Sequence, residues 1–354
     1  MNRFRFMFGT LALLLSIVLS ACSGSAATPP AATTAPAAPD APAATTAPAA
    51  IPATGGLEIR LDYAYYNPSS LILKHFGWLE EDVKADGTSV KWVLSAGSNK
   101  ANEFLRSDAI DFGSTAGAAA LLAKANGSPI QAVYIFSKPE WTALVVSKTS
   151  TVTDITQLKG KKIAATKGTD PYFFLLRSLR QAGLTAADVE IVNLQHADGK
   201  VALERGQVDA WAGLDPFMAQ TEIEQGSRLL YRNIDFNSYG FLNARTAFLN
   251  DHPEAVAKVL AAYERARRWI QENPDQAAQI VADESKQSLA VVKRVLGERT
   301  VLDSGVVPGE TQAAVLREII PIFKAEQQVK DGTDVDAALK DLLAPQYIQK
   351  LAQK

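Results

Sequence analysis

Residues 158–217 constrain this chain more than any other stretch. They open LKGKKIAATKGTDPYFFLLRSLRQAGL and close VALERGQVDAWAGLDPF. The run 161–166 is short with an apolar centre, so it reads as a buried strand. Gly168 permits backbone angles that other residues avoid, and Pro171 suits the first turn of a helix. Asp170 stands just before that proline, where an N-cap belongs. Tyr172, Leu175, Leu176 and Leu179 recur at helical spacing and form one apolar stripe, and Gly183 stops the helix. Strand, glycine turn and helix together point free backbone N–H groups over the turn, where they favour an anion.

The same unit recurs on both sides. Residues 57–63 alternate apolar and polar as a first strand, and Asn67 with Pro68 opens a helix. A second strand is read at 90–94, followed by a turn at 96–100 and a helix from 101. A third is read at 108–112, followed by the small-residue turn Gly113-Ser114-Thr115-Ala116-Gly117 and another helix. Further strands are read at 130–136, 141–147, 189–194, 208–211 and 239–247, and Asp215-Pro216 opens a helix. Beyond Pro253 the pattern is nearly all helix, at 253–273, 275–284, 288–297, 309–328 and 334–352. Strands alternating with helices predict mainly parallel sheets, with ligands beyond the carboxyl ends of the strands. The expected architecture is α/β and bilobal. Two Rossmann-like lobes, 57–143 with 240–354 and 144–239, are joined by two hinge crossings and carry a helical C-terminal segment. The cleft is the expected site and hinge closure the expected motion.

The N-terminal part reads differently. Arg3 and Arg5 precede an apolar run at 6–19, too short for a stable membrane span, so 1–21 reads as a secretory signal. It ends in Leu19-Ser20-Ala21-Cys22, which resembles the bacterial lipobox, in which the cysteine is lipidated. Residues 22–56 are almost all Ala, Pro, Thr, Ser and Gly, and read as a lipidated, disordered linker holding a body near a membrane. Cys22 is the only cysteine of 354 residues, which excludes an intrachain disulfide and a cysteine nucleophile or metal site in the body. A net charge of −2 argues against bulk nucleic-acid binding. The three histidines, at 75, 196 and 252, lack metal-ligand spacing. Neither G-x-S-x-G nor a Walker motif occurs, so any ATP hydrolysis belongs to another subunit.

Five segments carry a resemblance: AIDFGSTAG at 109–117, LKGKKIAATKGT at 158–169, LRQAGL at 179–184, ERGQVDAWAGLDPF at 204–217 and HPEAV at 252–256. With these the chain resembles extracytoplasmic substrate-binding proteins of ABC transporters, in the aliphatic sulfonate, taurine and nitrate group. The resemblance implies a periplasmic-binding-protein-like fold and a monomer without catalytic residues, cofactor or metal. It implies capture of a small organic anion, foremost an aliphatic sulfonate, and delivery to permease and ATPase subunits. An amine-bearing ligand such as taurine or a thiamine-pyrimidine precursor, or nitrate or bicarbonate, is the alternative. The same fold occurs in a thiamine-pyrimidine synthase family with a cysteine-rich motif, which this chain lacks.

On this resemblance an oxyanion lies against turns at helix N-termini. Here these are Ser114 and Thr115, and Lys167, Gly168 and Thr169, with Asn67 and Asn99 at neighbouring turns. Their hydroxyls both donate and accept. From their places near strand ends, Tyr65 and Trp141 either wall a ligand tail or pack within a lobe, and Trp211 reads as core rather than cleft. Asp215 either only starts its helix or contacts the ligand, since the resemblance puts this turn at the cleft. Related sulfonate binders have serines after the Lys-Gly pair, whereas this chain has Thr169-Asp170-Pro171. Asp170 either caps its own helix or faces the cleft and pairs an amine.

Overall fold

The computed structural model describes residues 56–352. The signal, Cys22 and the linker up to residue 55 lie outside the described residues. The first part runs β1 (Glu58–Tyr63), α1 (Pro68–Phe76), α2 (Trp78–Lys84), β2 (Ser89–Leu94), α3 (Ser98–Arg106), β3 (Phe112–Ala116), α4 (Gly117–Ala125) and β4 (Ile130–Pro139). The second runs β5 (Thr142–Val146), β6 (Lys162–Ala165), α5 (Asp170–Gln181), β7 (Glu190–Asn193), α6 (His196–Glu204), β8 (Ala210–Leu214), α7 (Phe217–Gln225) and β9 (Arg228–Tyr231). The chain then returns through β10 (Gly240–Arg245), α8 (Thr246–Asp251), α9 (Pro253–Glu272), α10 (Pro274–Ser285), α11 (Leu289–Glu298) and β11 (Thr300–Val301). It ends in α12 (Glu310–Arg317), α13 (Ile320–Ala325), α14 (Val335–Leu342) and α15 (Gln346–Ala352).

Two sheets result, in the orders β11-β4-β10-β3-β1-β2 and β7-β6-β8-β5-β9. In each, three strands are parallel (β2, β1, β3 and β7, β6, β8), and the strand that enters from the other sheet, β10 or β5, runs antiparallel to its neighbours. The chain changes sheets twice, between Pro139 and Thr142 and between Tyr231 and Gly240. The parallel strands are joined by helices, and this aims the N-termini of α3, α4, α5 and α6 past the carboxyl ends of β2, β3, β6 and β7.

Local chemistry explains the elements. Asn67 Oδ1 accepts from Ser70 N, Pro68 fills the first turn of α1, and Gly77 in the left-handed region closes it on Leu73 O. One apolar core packs α1, α9 and α10 on the first sheet. Another joins α4, α5 and α13, where Phe173 and Phe323 lie 5.0 Å apart. Trp211 sits fully buried in a third, within the second sheet's layer. Each large buried side chain of this kind contributes about 1.5–3 kcal/mol.

Several expectations shift. The third strand is Phe112–Ala116, not 108–112. Asp108 has φ +60°, and Asp111 turns its carboxylate onto Arg60 and Arg245, so 108–111 is an ion-paired approach to the strand. β8 likewise starts two residues later than read, and β9 and β11 add edge strands that the sequence reading lacks. Pro321 and Pro345 divide the long C-terminal helices, because a proline has no N–H to donate within a helix.

Candidate functional site

Four helix N-termini converge on one cavity between the sheets. Its walls are Tyr66, Ser98, Ala116, Trp141, Thr169, Asp170, Pro171, His196 and Leu214, and its volume is about 10 Å3. Ser98 begins α3, Ala116 precedes α4, Thr169 precedes α5 and His196 begins α6. None of these four helices is capped by the side chain of its N-cap residue. Ser238 Oγ accepts from Ala118 N at the start of α4, and Ser98 Oγ accepts from Ala116 N. The lining holds no lysine or arginine. A second crevice of about 20 Å3 adjoins it, where Tyr65, Trp141 and Asp215 face Val281, Val292 and Leu296 of α10 and α11.

Asp170 does not cap its own helix; it lines the cavity with its carboxylate buried and held by the two crossings. Thr169 holds the N-cap position, and Asp170 is the first helical residue. Its Oδ2 accepts from Trp141 Nε1 and Ser238 N, both at 2.8 Å, and its Oδ1 from Ser238 Oγ at 2.6 Å. Trp141 and Ser238 belong to the two crossings, so one carboxylate fastens both to α5. Burial pushes Asp170 up to about 6, against the pull of these hydrogen bonds. Thr169 Oγ1 donates to Thr166 O at 2.6 Å and closes the turn that Gly168, φ +76°, makes possible.

The structure separates the other candidates. Ser114 and Thr115 lie inside β3, not at a turn. Ser114 Oγ donates to Asp62 Oδ1 and accepts from Asn67 Nδ2, both at 2.8 Å. Thr115 Oγ1 accepts from Asn243 Nδ2 at 2.7 Å. Ser114, Thr115 and Asn67 thus serve the interior of the first lobe, with their side chains hydrogen-bonded there. Lys167 is exposed, and its backbone N–H donates to Asn193 Oδ1. Asn99 and Gly168 meet across the cleft, where a Cβ at Gly168 would lie 4.0 Å from Asn99 Cβ. Asp215 accepts from Ala219 N at the start of α7 and from Arg299 Nη1. Trp141 also packs edge-on against Tyr66 at 5.8 Å.

Ser98, His196, Ser238 and Arg299 were not singled out from sequence. For His196 a signal existed: it follows a strand and opens a helix, as Thr169 and Asp170 do. Its ring is 1 % exposed and burial pushes its pKa down to about 3, so it is neutral.

Residues 83–277 match the family model described as NMT1/THI5 like. The chain belongs to the NMT1/THI5-like family. It is 30 % identical over 308 residues to a Bacillus subtilis (strain 168) protein named "Putative aliphatic sulfonates-binding protein", covering 84 % of this chain and 89 % of the relative. The alkanesulfonate-binding protein SsuA from Xanthomonas axonopodis pv. citri, solved bound to MOPS, superposes with a TM-score of 0.72 at 25 % identity, covering 81 % of this chain and 99 % of that one. The periplasmic aliphatic sulphonate binding protein SsuA from Escherichia coli gives 0.69 at 26 % identity, covering 81 % and 92 %. The two-lobed fold of this NMT1/THI5-like chain is therefore that of periplasmic binding proteins, and the relatives it matches are named as aliphatic sulfonate-binding proteins. Among the described residues no helix is long and apolar enough to cross a membrane.

Proposed function

We propose that this protein captures a small organic anion, foremost an aliphatic sulfonate, between its lobes and delivers it to the permease of an ABC importer whose ATPase is a separate subunit. The convergence of four helix N-termini on one cavity carries this reading. Each terminus offers backbone N–H donors and a partial positive charge, worth about 0.3–2 kcal/mol to an anion. A cradle of dipoles without a lysine or arginine suits reversible capture, because each contact is modest. The names of the relatives support a sulfonate. The absence of a cysteine from the body disfavours the cysteine-dependent pyrimidine synthesis known on this fold. A cavity of about 10 Å3 is about one water in size, so a sulfonate enters only when the lobes separate about the two crossings. Lipidation at Cys22 would hold the body outside the cytoplasm, on a membrane.

A thermal-shift panel tests this, with short alkanesulfonates, taurine, nitrate, bicarbonate and a phosphonate against the purified protein. A ligand at about 100 times its Kd stabilises by about 2.7 kcal/mol. A rise in Tm with sulfonates and not with nitrate or bicarbonate is the expected result. A rise with the inorganic anions alone would overturn the sulfonate assignment.

A further inference from the structure

His196 lines the cavity and carries an unpartnered ring nitrogen. Thr166 Oγ1 donates its single proton to Leu194 O at 2.7 Å. Towards His196 Nδ1, 3.1 Å away, the same oxygen can therefore only accept, so Nδ1 bears the ring proton and Nε2 is a bare acceptor. Nε2 is buried and has no partner, and the same holds for Asn99 Oδ1 from the other lobe. The two acceptors come together against Gly97, His196 among the cavity walls and Asn99 beside them. A Cβ built on Gly97 would stand 2.9 Å from His196 Nε2 and 2.8 Å from Asn99 Oδ1. Among the described residues no cluster suited to a metal ion is present to use that lone pair. A buried acceptor facing a binding cavity calls for a donor, because leaving it unpaired costs free energy.

We infer that His196, assisted by Asn99, is a specificity-determining acceptor that favours organic anions carrying an N–H or O–H donor near the anionic group. The inference rests on the anion reading of the cavity. The helix N-termini take the anionic end, and His196 with Asn99 takes the donor. Neither acceptor discriminates among anionic heads, so the selection concerns the body of the ligand. Thr166 acts as a positioning residue by fixing the tautomer.

Three sulfonates of one chain length test it: ethanesulfonate, which has no donor, isethionate, which has a hydroxyl, and taurine, which has an ammonium. Calorimetric titration of the whole protein is expected to show one or both donor-bearing ligands bound about tenfold more tightly than ethanesulfonate. Which of the two is preferred identifies the donor. His196→Phe is expected to bring the ratio of donor-bearing to ethanesulfonate affinity down to about one, whatever it does to ethanesulfonate binding itself. His196→Asn keeps an acceptor and is expected to retain part of it. Thr166→Val preserves volume but releases the tautomer, and should narrow the preference even if His196→Phe fails to fold. Nitrogen-15 spectra of the imidazole should show protonated Nδ1 and bare Nε2. Equal binding of all three ligands by the native protein, or a proton on Nε2, would overturn the inference and leave the sulfonate reading standing. Binding of none of the three would overturn both.

Discussion

Asp62 lies fully buried in β1 and relies on Ser114 for three hydrogen bonds, two from its N–H and one from its hydroxyl. Ser114 also receives Asn67 Nδ2, which ties α1 to β3. A Ser114→Ala substitution leaves Asn67 Nδ2 without an acceptor and removes one donor from a buried carboxylate. It is expected to cost about 1–3 kcal/mol of stability, measured by urea unfolding, with ligand affinity unchanged. A loss of affinity at unchanged stability would return Ser114 to the cavity. Burial pushes Asp62 up to about 6, as it does Asp170. The ordinary value is 3.8 in both, so between these values the folded protein binds more protons than the unfolded chain. Their contribution to stability is complete below pH 3.8 and is lost as pH rises through about 6. Asp62→Asn is expected to flatten that part of the stability profile, which thermal melts between pH 4 and 7 would show; an unaltered slope would mean that Asp62 does not titrate there.

At the scale of elements, the α5 turn depends on Thr169 holding Thr166 O and on Gly168 adopting φ +76°. Thr169→Val keeps the volume but removes that hydrogen bond, worth about 0.5–1.5 kcal/mol. The start of α5 then loosens, and every anion is expected to bind about 3–10 times more weakly, in contrast to the ligand-selective effect of His196. Titration of two unrelated sulfonates distinguishes the cases, and a loss confined to one of them would count against the turn. This unit was legible in the sequence because strand, glycine and helix are adjacent and each signal is local. The unit around β3 was not. The run Asp108–Phe112 alternates like a strand and GSTAG looks like a turn, yet GSTAG lies largely within the strand. Pairing with β1 and β10, the latter more than a hundred residues away, sets that register, and no local pattern encodes it. Ser114 and Thr115 therefore read as turn residues, whereas the structure puts them within β3 and brings Ala116 to the cavity. His196 was passed over because a lone histidine shows its worth only when Thr166, Gly97 and Asn99 surround it.

For the whole molecule, closure has its own fastening. Arg299, between α11 and β11, reaches both carboxylate oxygens of Asp215 at 3.2 Å and Glu222 Oε2 at 2.5 Å. β11 pairs with the first sheet, whereas Asp215 precedes α7 and Glu222 lies within it on the second, so these ion pairs bridge the lobes. Arg299 is 4 % exposed and Asp215 1 %, so the charges meet away from water. Glu140 in the first crossing adds a bidentate pair to Arg232 and donates its N–H to Arg299 O. Removing one partner of a buried pair typically costs about 3–5 kcal/mol. Since the partners sit on different lobes, part of that cost should fall on the closed form rather than on folding. A ligand that binds only the closed form has its apparent affinity reduced by the fraction still closed. Arg299→Ala should therefore weaken every sulfonate about 10–100-fold through a faster off-rate, and raise the radius of gyration of the unliganded protein in X-ray scattering. Saturating ligand should restore the compact value, because binding energy then takes over from the lost ion pair. A variant that melts earlier yet keeps its affinity and its radius would show that Arg299 stabilises the fold without governing closure.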